Sequence, residues 1–373
     1  MNLKEGRMGM QEGVSLAATA MAVSGLFTLD QSFTYSKGNS SYVTLPVAAI
    51  LSLFLYLILI ASMRRSGSRN LSELLKNAFG SVGASIASLV LFLCFIIAAY
   101  SPIGKFIQSM HALYYNGVTY GQITLFVLPT VLIIAWLGFE TIGRAAKCFV
   151  GLMLLITAIN IVSAVNEFEV YRLYPILGGD LRRTTELSFS EMACFLPGMV
   201  GLLVTCNGLN GVKSAKKTGI IAALVAAGVC FVAQFALSLI YTYSELQQLF
   251  MPLYRLNHLN RFETQLLRMD KLAQMAWLNG CMLAGSFYIY AGSLLFTQSF
   301  GLKDIRPPMG SAAVLTMIVL LFEFDGVILN FQQLRNISDS IGFVVIAVPL
   351  LIAAFIALLK KKSGGALKEG SKV

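Results

Sequence analysis

The stretch Phe195-Leu196-Pro197-Gly198-Met199-Val200-Gly201 lies inside an apolar run long enough to cross a bilayer, and it carries two helix breakers side by side. Pro197 donates no amide hydrogen bond and Gly198 has no side chain, so the sequence predicts that the helical ladder opens there. In hydrocarbon, opened backbone survives only where it is buried in protein or lines a cavity. A comparable weak point at a corresponding place occurs early in the chain, at Ala22-Val23-Ser24-Gly25 in the middle of the first apolar run. Paired interruptions in matching segments of two halves are the sequence signature of a transporter-type binding site.

Composition sets the same class. The 373 residues are 57% hydrophobic and 12% charged, with a mean hydropathy of +0.74, which describes a polytopic helical membrane protein and excludes a water-soluble domain. The first apolar run lacks the basic start and small-residue cleavage site of a removable signal, and reads as a span. A net charge of +10 does not mark a nucleic-acid binder, because the basic residues sit in short connections where topology accounts for them. Cys94, Cys148, Cys194, Cys206, Cys230 and Cys281 lie in or beside apolar runs without C-x-x-C spacing, and read as small buried hydrophobes. His111 and His258 fall in different connections with no Cys or carboxylate at ligand spacing. Phosphate-loop and nucleophile-elbow motifs are absent as well, so neither a metal, a cofactor nor an enzyme is expected.

Ten apolar runs have spanning length, near residues 14–30, 42–63, 82–104, 120–138, 146–166, 187–209, 219–243, 272–299, 310–329 and 338–359. Of the 28 Lys and Arg, 18 fall at the N-terminus, in loops 64–80, 139–147, 210–218 and 300–309, and in the tail from Lys360, which predicts that both termini are cytoplasmic. Ten spans divide into two repeats of five, residues 1–166 and 167–359, followed by a basic tail over 360–373. An odd number of spans per repeat sets the two in opposite orientations, the inverted-repeat architecture of many secondary transporters. Residues 66–80 read as an amphipathic helix starting after Ser68 or Asn70, with Leu71, Leu74, Leu75 and Phe79 on one face. The connection 244–271, carrying Tyr254, His258, Arg261, Phe262 and Glu263, is expected to hold a helix over the outer mouth, and Lys360-Lys361-Lys362 to anchor the last span at the headgroups.

Opened backbone at Leu196, Pro197 and Gly198, facing Val23, Ser24 and Gly25, offers amides to a carboxylate and carbonyls to an ammonium. The alternative is a proline kink used for packing, with Gly25 at a helix contact. Ser286, Tyr290 and Ser293 share a helical stripe in the eighth run, where hydroxyls equally bond to the preceding turn or to a neighbouring helix. Ala98 and Tyr100 reach the same depth from the third run. Glu191, Glu323 and Asp325 stand at membrane depth or at the interface, and no proton-coupling carboxylate is assigned.

Four pieces of the chain carry a resemblance. Leu173-Tyr174-Pro175-Ile176-Leu177-Gly178 resembles an L-x-P-[IVL]-x-G entry to a sixth span, and Arg268-Met269-Asp270 followed by Trp277 resembles an R-hydrophobic-[DE] plus Trp entry to an eighth. Tyr288 and Tyr290 fall at frequent aromatic positions, and Ser338-Asp339 with Gly342 resembles the start of a last span. In order and spacing over the full length, the chain resembles the spore-germination permeases, B subunits of nutrient germinant receptors within the amino acid–polyamine–organocation transporter superfamily. The resemblance implies a LeuT-like all-α fold of ten helices with helices 1 and 6 broken. It implies a ligand-sensing subunit of the spore inner membrane that binds a small nutrient, an amino acid by class, beside a larger membrane A subunit and a lipoprotein C subunit. The implied pocket is Val23, Ser24, Gly25, Ala98, Leu196, Pro197, Gly198, Ser286 and Tyr290. Val23 and Asp30 replace the first glycine and the proline of the family's G-x-G-x-x-x-[IL]-P, and Met199 or its neighbour replaces a frequent acidic residue. The competing expectations are an ion-coupled secondary amino acid transporter and a scaffold with a vestigial pocket.

Overall fold

The computed structural model describes residues 6–27, 41–115, 117–174, 181–249, 252, 269–324 and 331–359. Ten long helices lie within them: α1 Met10–Phe27, α2 Ser41–Ser66, α3 Leu71–Leu113, α4 Tyr120–Trp136, α5 Phe139–Ser163, α6 Leu181–Val204, α7 Val212–Ile240, α8 Met269–Phe300, α9 Arg306–Phe324 and α10 Phe331–Leu359. Each coincides with one apolar run of the sequence. By length and composition, seven of them are able to cross a membrane. The other three, α1, α4 and α9, count 18, 17 and 19 residues. Several helices begin before their apolar run does, because charged ends pair along the helix, as Glu140 and Arg144 do in the first turns of α5.

Burial separates inner helices from outer ones. In the spanning part of α8 89% of residues are buried and in α6 78%, against 22% in α5. Large apolar side chains point outward elsewhere, Phe54 on α2, Phe126 on α4 and Phe355 on α10 at 66%, 81% and 63% exposure, the faces that lipid would cover. Helix partners recur with a shift of five. α1 packs on α7 and α6 on α2; α1 on α5 and α6 on α10; α5 on α8 and α10 on α3; α4 on α8 and α9 on α3. The pairs α1–α6, α2–α7, α3–α8 and α4–α9 join the two halves.

The amphipathic helix expected over 66–80 is present. Asn70 is its cap, its side chain accepting from the Glu73 amide at 2.9 Å, and Leu71, Leu74 and Leu75 are fully buried. Gly80, at φ 73°, turns the chain out of this helix and into the long second part of α3, a conformation open to a residue without a Cβ. Lys76 fastens the amphipathic stretch to the end of α8 by donating to the Gln298 carbonyl at 2.7 Å.

Two expected breaks are absent. α1 runs through residues 22–25 to Phe27, and α6 runs through Pro197 to Val204. Proline removes a single amide from the ladder, and inside a bundle that loss is smaller than the cost of opening several peptide groups at once. The chain opens instead after Val204, in a turn over 205–211 that ends with Asn210 at φ 61° and Gly211 at φ 96°. The coil before α1 packs into this turn, with the Met8 amide donating to the Gly208 carbonyl at 2.8 Å.

Of the 244–271 connection, the short helix Tyr243–Gln248 is described, with a capping box between Thr242 and Glu245. Hydrogen bonds from the Thr242 backbone and hydroxyl, with the nearby Arg172 guanidinium, hold the Glu245 carboxyl below the usual carboxylate range. Tyr254, His258, Arg261, Phe262 and Glu263 lie outside the described residues, as do Asp30, Pro175 to Gly178, Arg268, Asp325 and Lys360 to Lys362. The side chains of Asp270, Glu323, Ser338 and Asp339 lie outside them as well.

Candidate functional site

α1, α3, α6 and α10 meet around a cavity of about 60 Å³. Ser24 of α1, Ala98 of α3 and Pro197 of α6 line it, with Cys94 and Ser101 from α3 and Cys194 from α6. Gly342 and Ile346 close it from α10. A void of about 10 Å³ shares Cys94, Pro197 and Ile346 with it, so the groove continues along the same three helices. The larger space has the volume of a few water molecules, at ~10–15 Å³ each on this measure. It is far below the ~300–1,000 Å³ of a pocket for a drug-sized ligand.

The nine residues expected at the pocket divide. Ser24, Ala98 and Pro197 line the cavity. Gly198 stands beside it, and a Cβ there would meet Met21 Cγ at 2.6 Å and the Tyr288 hydroxyl at 3.7 Å. The glycine therefore allows α1 and α6 to approach closely. Gly25 does the same toward α7, where a Cβ would meet Cys230 Sγ at 2.9 Å. Val23 is fully buried in a second apolar cluster with Phe106, Met153 and Cys281, and Leu196 is buried in the main core. The single Ser286 hydroxyl proton is shared between the Met282 carbonyl at 2.7 Å and the Val131 carbonyl of α4 at 2.9 Å, so the hydroxyl bridges α8 and α4. Tyr290 stacks on Phe139 with ring centres 5.8 Å apart.

Sequence reasoning missed Tyr288, whose hydroxyl lies 3.3 Å from Ser24 Oγ in a buried contact 264 residues apart in the chain. It also missed Cys94 and Ser101. Spaced four and three residues around Ala98, they form a stripe of small residues on one face of the run, and that was the available signal. Gly342 and Ile346 gave none. Glu191, at 1% exposure, is inside the bundle. It does not line the cavity, although Cys194, three residues on, does.

The architecture has known counterparts. A Na⁺-coupled sialic acid symporter in a substrate-bound outward-open state superposes with a TM-score of 0.67 at 11% identity, covering 93% of this chain and 78% of that one. The Eremococcus coleocola manganese transporter gives 0.63 at 14%, covering 95% and 82%. Mhp1, a nucleobase-cation-symport-1 family transporter in a closed conformation, gives 0.60 at 11%, covering 95% and 91%. Identities this low establish the fold alone, that of LeuT-type transporters. No curated protein sequence matches the chain. A family model does, that of the spore germination proteins, over residues 8–340. With that match across nearly its whole length, a transporter-like fold and seven helices fit to cross a bilayer, the chain belongs to the spore germination permease family and is a multi-pass integral membrane protein.

Proposed function

We propose that the chain is the membrane subunit of a spore nutrient germinant receptor. A small nutrient, an amino acid by class, occupies the cavity between α1, α3, α6 and α10, and its binding favours one arrangement of the helices over another. That bias passes to a larger membrane A subunit and a lipoprotein C subunit in the spore inner membrane, with both termini of the chain cytoplasmic. A ligand shifts such an equilibrium only by its differential affinity for the two arrangements, and the liganded arrangement has the cavity opened beyond about 60 Å³. The recurrence of helix partners at a shift of five supports two inverted repeats, α1 to α5 and α6 to α10, with ten spans in all.

The observation that carries the reading is the cavity itself, with Ser24, Ala98 and Pro197 from three helices on one wall, in a chain of the germination family. The test fills it. Ala98→Phe is expected to raise the nutrient concentration needed for germination at least tenfold while the protein still accumulates in the spore membrane. An unchanged dose response with normal protein levels overturns the reading. Ion-coupled uptake is the second reading, favoured by the symporter-like architecture. It predicts substrate accumulation in proteoliposomes that collapses when the ion gradient is removed.

A further inference from the structure

α3 continues past the apolar run 82–104 to Leu113 and holds Lys105 inside the bundle. It is 3% exposed, and its Nζ has no hydrogen-bond partner among the described residues. A buried ammonium within a membrane bundle is costly, and such groups pair with a counter-charge or mark a ligand path. The position is informative. Cys94, Ala98 and Ser101 line the cavity from α3, and Lys105 follows at the next step of the same four-three-four spacing, so it continues their stripe one turn nearer the Leu113 end. The helix thus presents, in register, three small residues that leave a space and then a cation with a flexible stem of four methylenes.

The absence of a break in α1 and α6 sharpens the point. Opened backbone in those helices was the expected source of amide donors for a carboxylate, and the described residues 22–25 and 195–201 are helical. A carboxylate entering this cavity finds hydroxyls at Ser24 and Ser101 and needs a positive charge from elsewhere. We propose that Lys105 is the anion subsite of the pocket, and that its ammonium pairs with the carboxylate of a small nutrient seated against Ser101 and Ala98. The inference rests on the nutrient-binding reading above and adds to it the ligand's charge and the residue that recognises it.

The experiment measures binding to the full chain in nanodiscs, by ligand-induced shift of the thermal midpoint, with neutral L-amino acids, their primary amides, inosine and glucose as probes. Wild type is expected to bind at least one amino acid and to reject its amide, which keeps the shape and the ammonium and loses the anionic charge. Lys105→Met, of similar length and without charge, should lower the affinity for that amino acid by roughly 10- to 100-fold, and Lys105→Arg should recover part of it. Amino acid and amide binding alike, or equal affinity in wild type and the Met variant, overturns the subsite and leaves the receptor reading standing. Binding of inosine or glucose with no amino acid bound does the same. Silence of wild type toward every probe overturns both together. Discrimination between acid and amide is read on wild type, so the proposal stays testable even if the Met variant fails to fold.

Discussion

Residues 197–198 and residues 205–211 lie a few turns apart in one segment, and they behave in opposite ways. The first pair holds the strongest helix breakers in the segment and stays helical. The second stretch has no proline and unwinds, ending in two residues at positive φ. The Asn207-Gly208 and Asn210-Gly211 pairs are turn formers, so local propensity accounts for the second stretch and fails for the first. Tertiary packing accounts for that failure, since Gly198 is wedged against Met21 of α1 while Gly211 has open space where its Cβ would be. A glycine can thus serve helix contact in one place and backbone freedom in another, and only its neighbours distinguish the two.

Substitutions test that contrast. Gly198→Leu should have the largest effect, because the new side chain meets a methionine near its backbone end; we expect a destabilisation of about 3 kcal/mol, at the top of the range for overpacking, read as a lower unfolding midpoint in detergent. If α6 accommodates Leu without loss, the close approach to α1 is not what keeps the helix whole. Gly211→Ala comes next and should cost about 1–3 kcal/mol, because φ 96° with ψ 177° is a conformation essentially confined to glycine even where a Cβ has open space. An unchanged midpoint there would show that the turn relaxes freely. Pro197→Ala should be the mildest and has the opposite sign. It returns the missing amide to the ladder and should stabilise the protein by about 1–2 kcal/mol, within the ~3 kcal/mol intrinsic penalty of an internal proline. A fall in the midpoint would mean that α6 depends on the kink.

Much of the fold was legible because apolar runs of bilayer length have few alternative uses. The ten helices fall on the ten runs, and Asn70 with Leu71, Leu74 and Leu75 was enough to place the amphipathic helix. The site was legible only where one helix carried the signal. Ser24, Ala98 and Pro197 could be picked from their own segments, whereas the Ser24–Tyr288 contact and the contribution of Gly342 and Ile346 depend on how distant helices dock. Ser286 marks the same boundary from the other side: its sequence left open a ligand, the preceding turn or a neighbouring helix, and its hydroxyl lies on carbonyls of both its own turn and α4. Lys105 carried no signal of its own, because the apolar run ends one residue before it while α3 goes on to Leu113.

The Met8 contact has a mechanical consequence. Its amide holds the turn that follows α6, and its thioether lies against Gly143 of α5. Any tilt of α6 that carries this turn along must tug the leading segment and drag the sulfur off α5. The segment thus ties the turn after α6 to the first turns of α5.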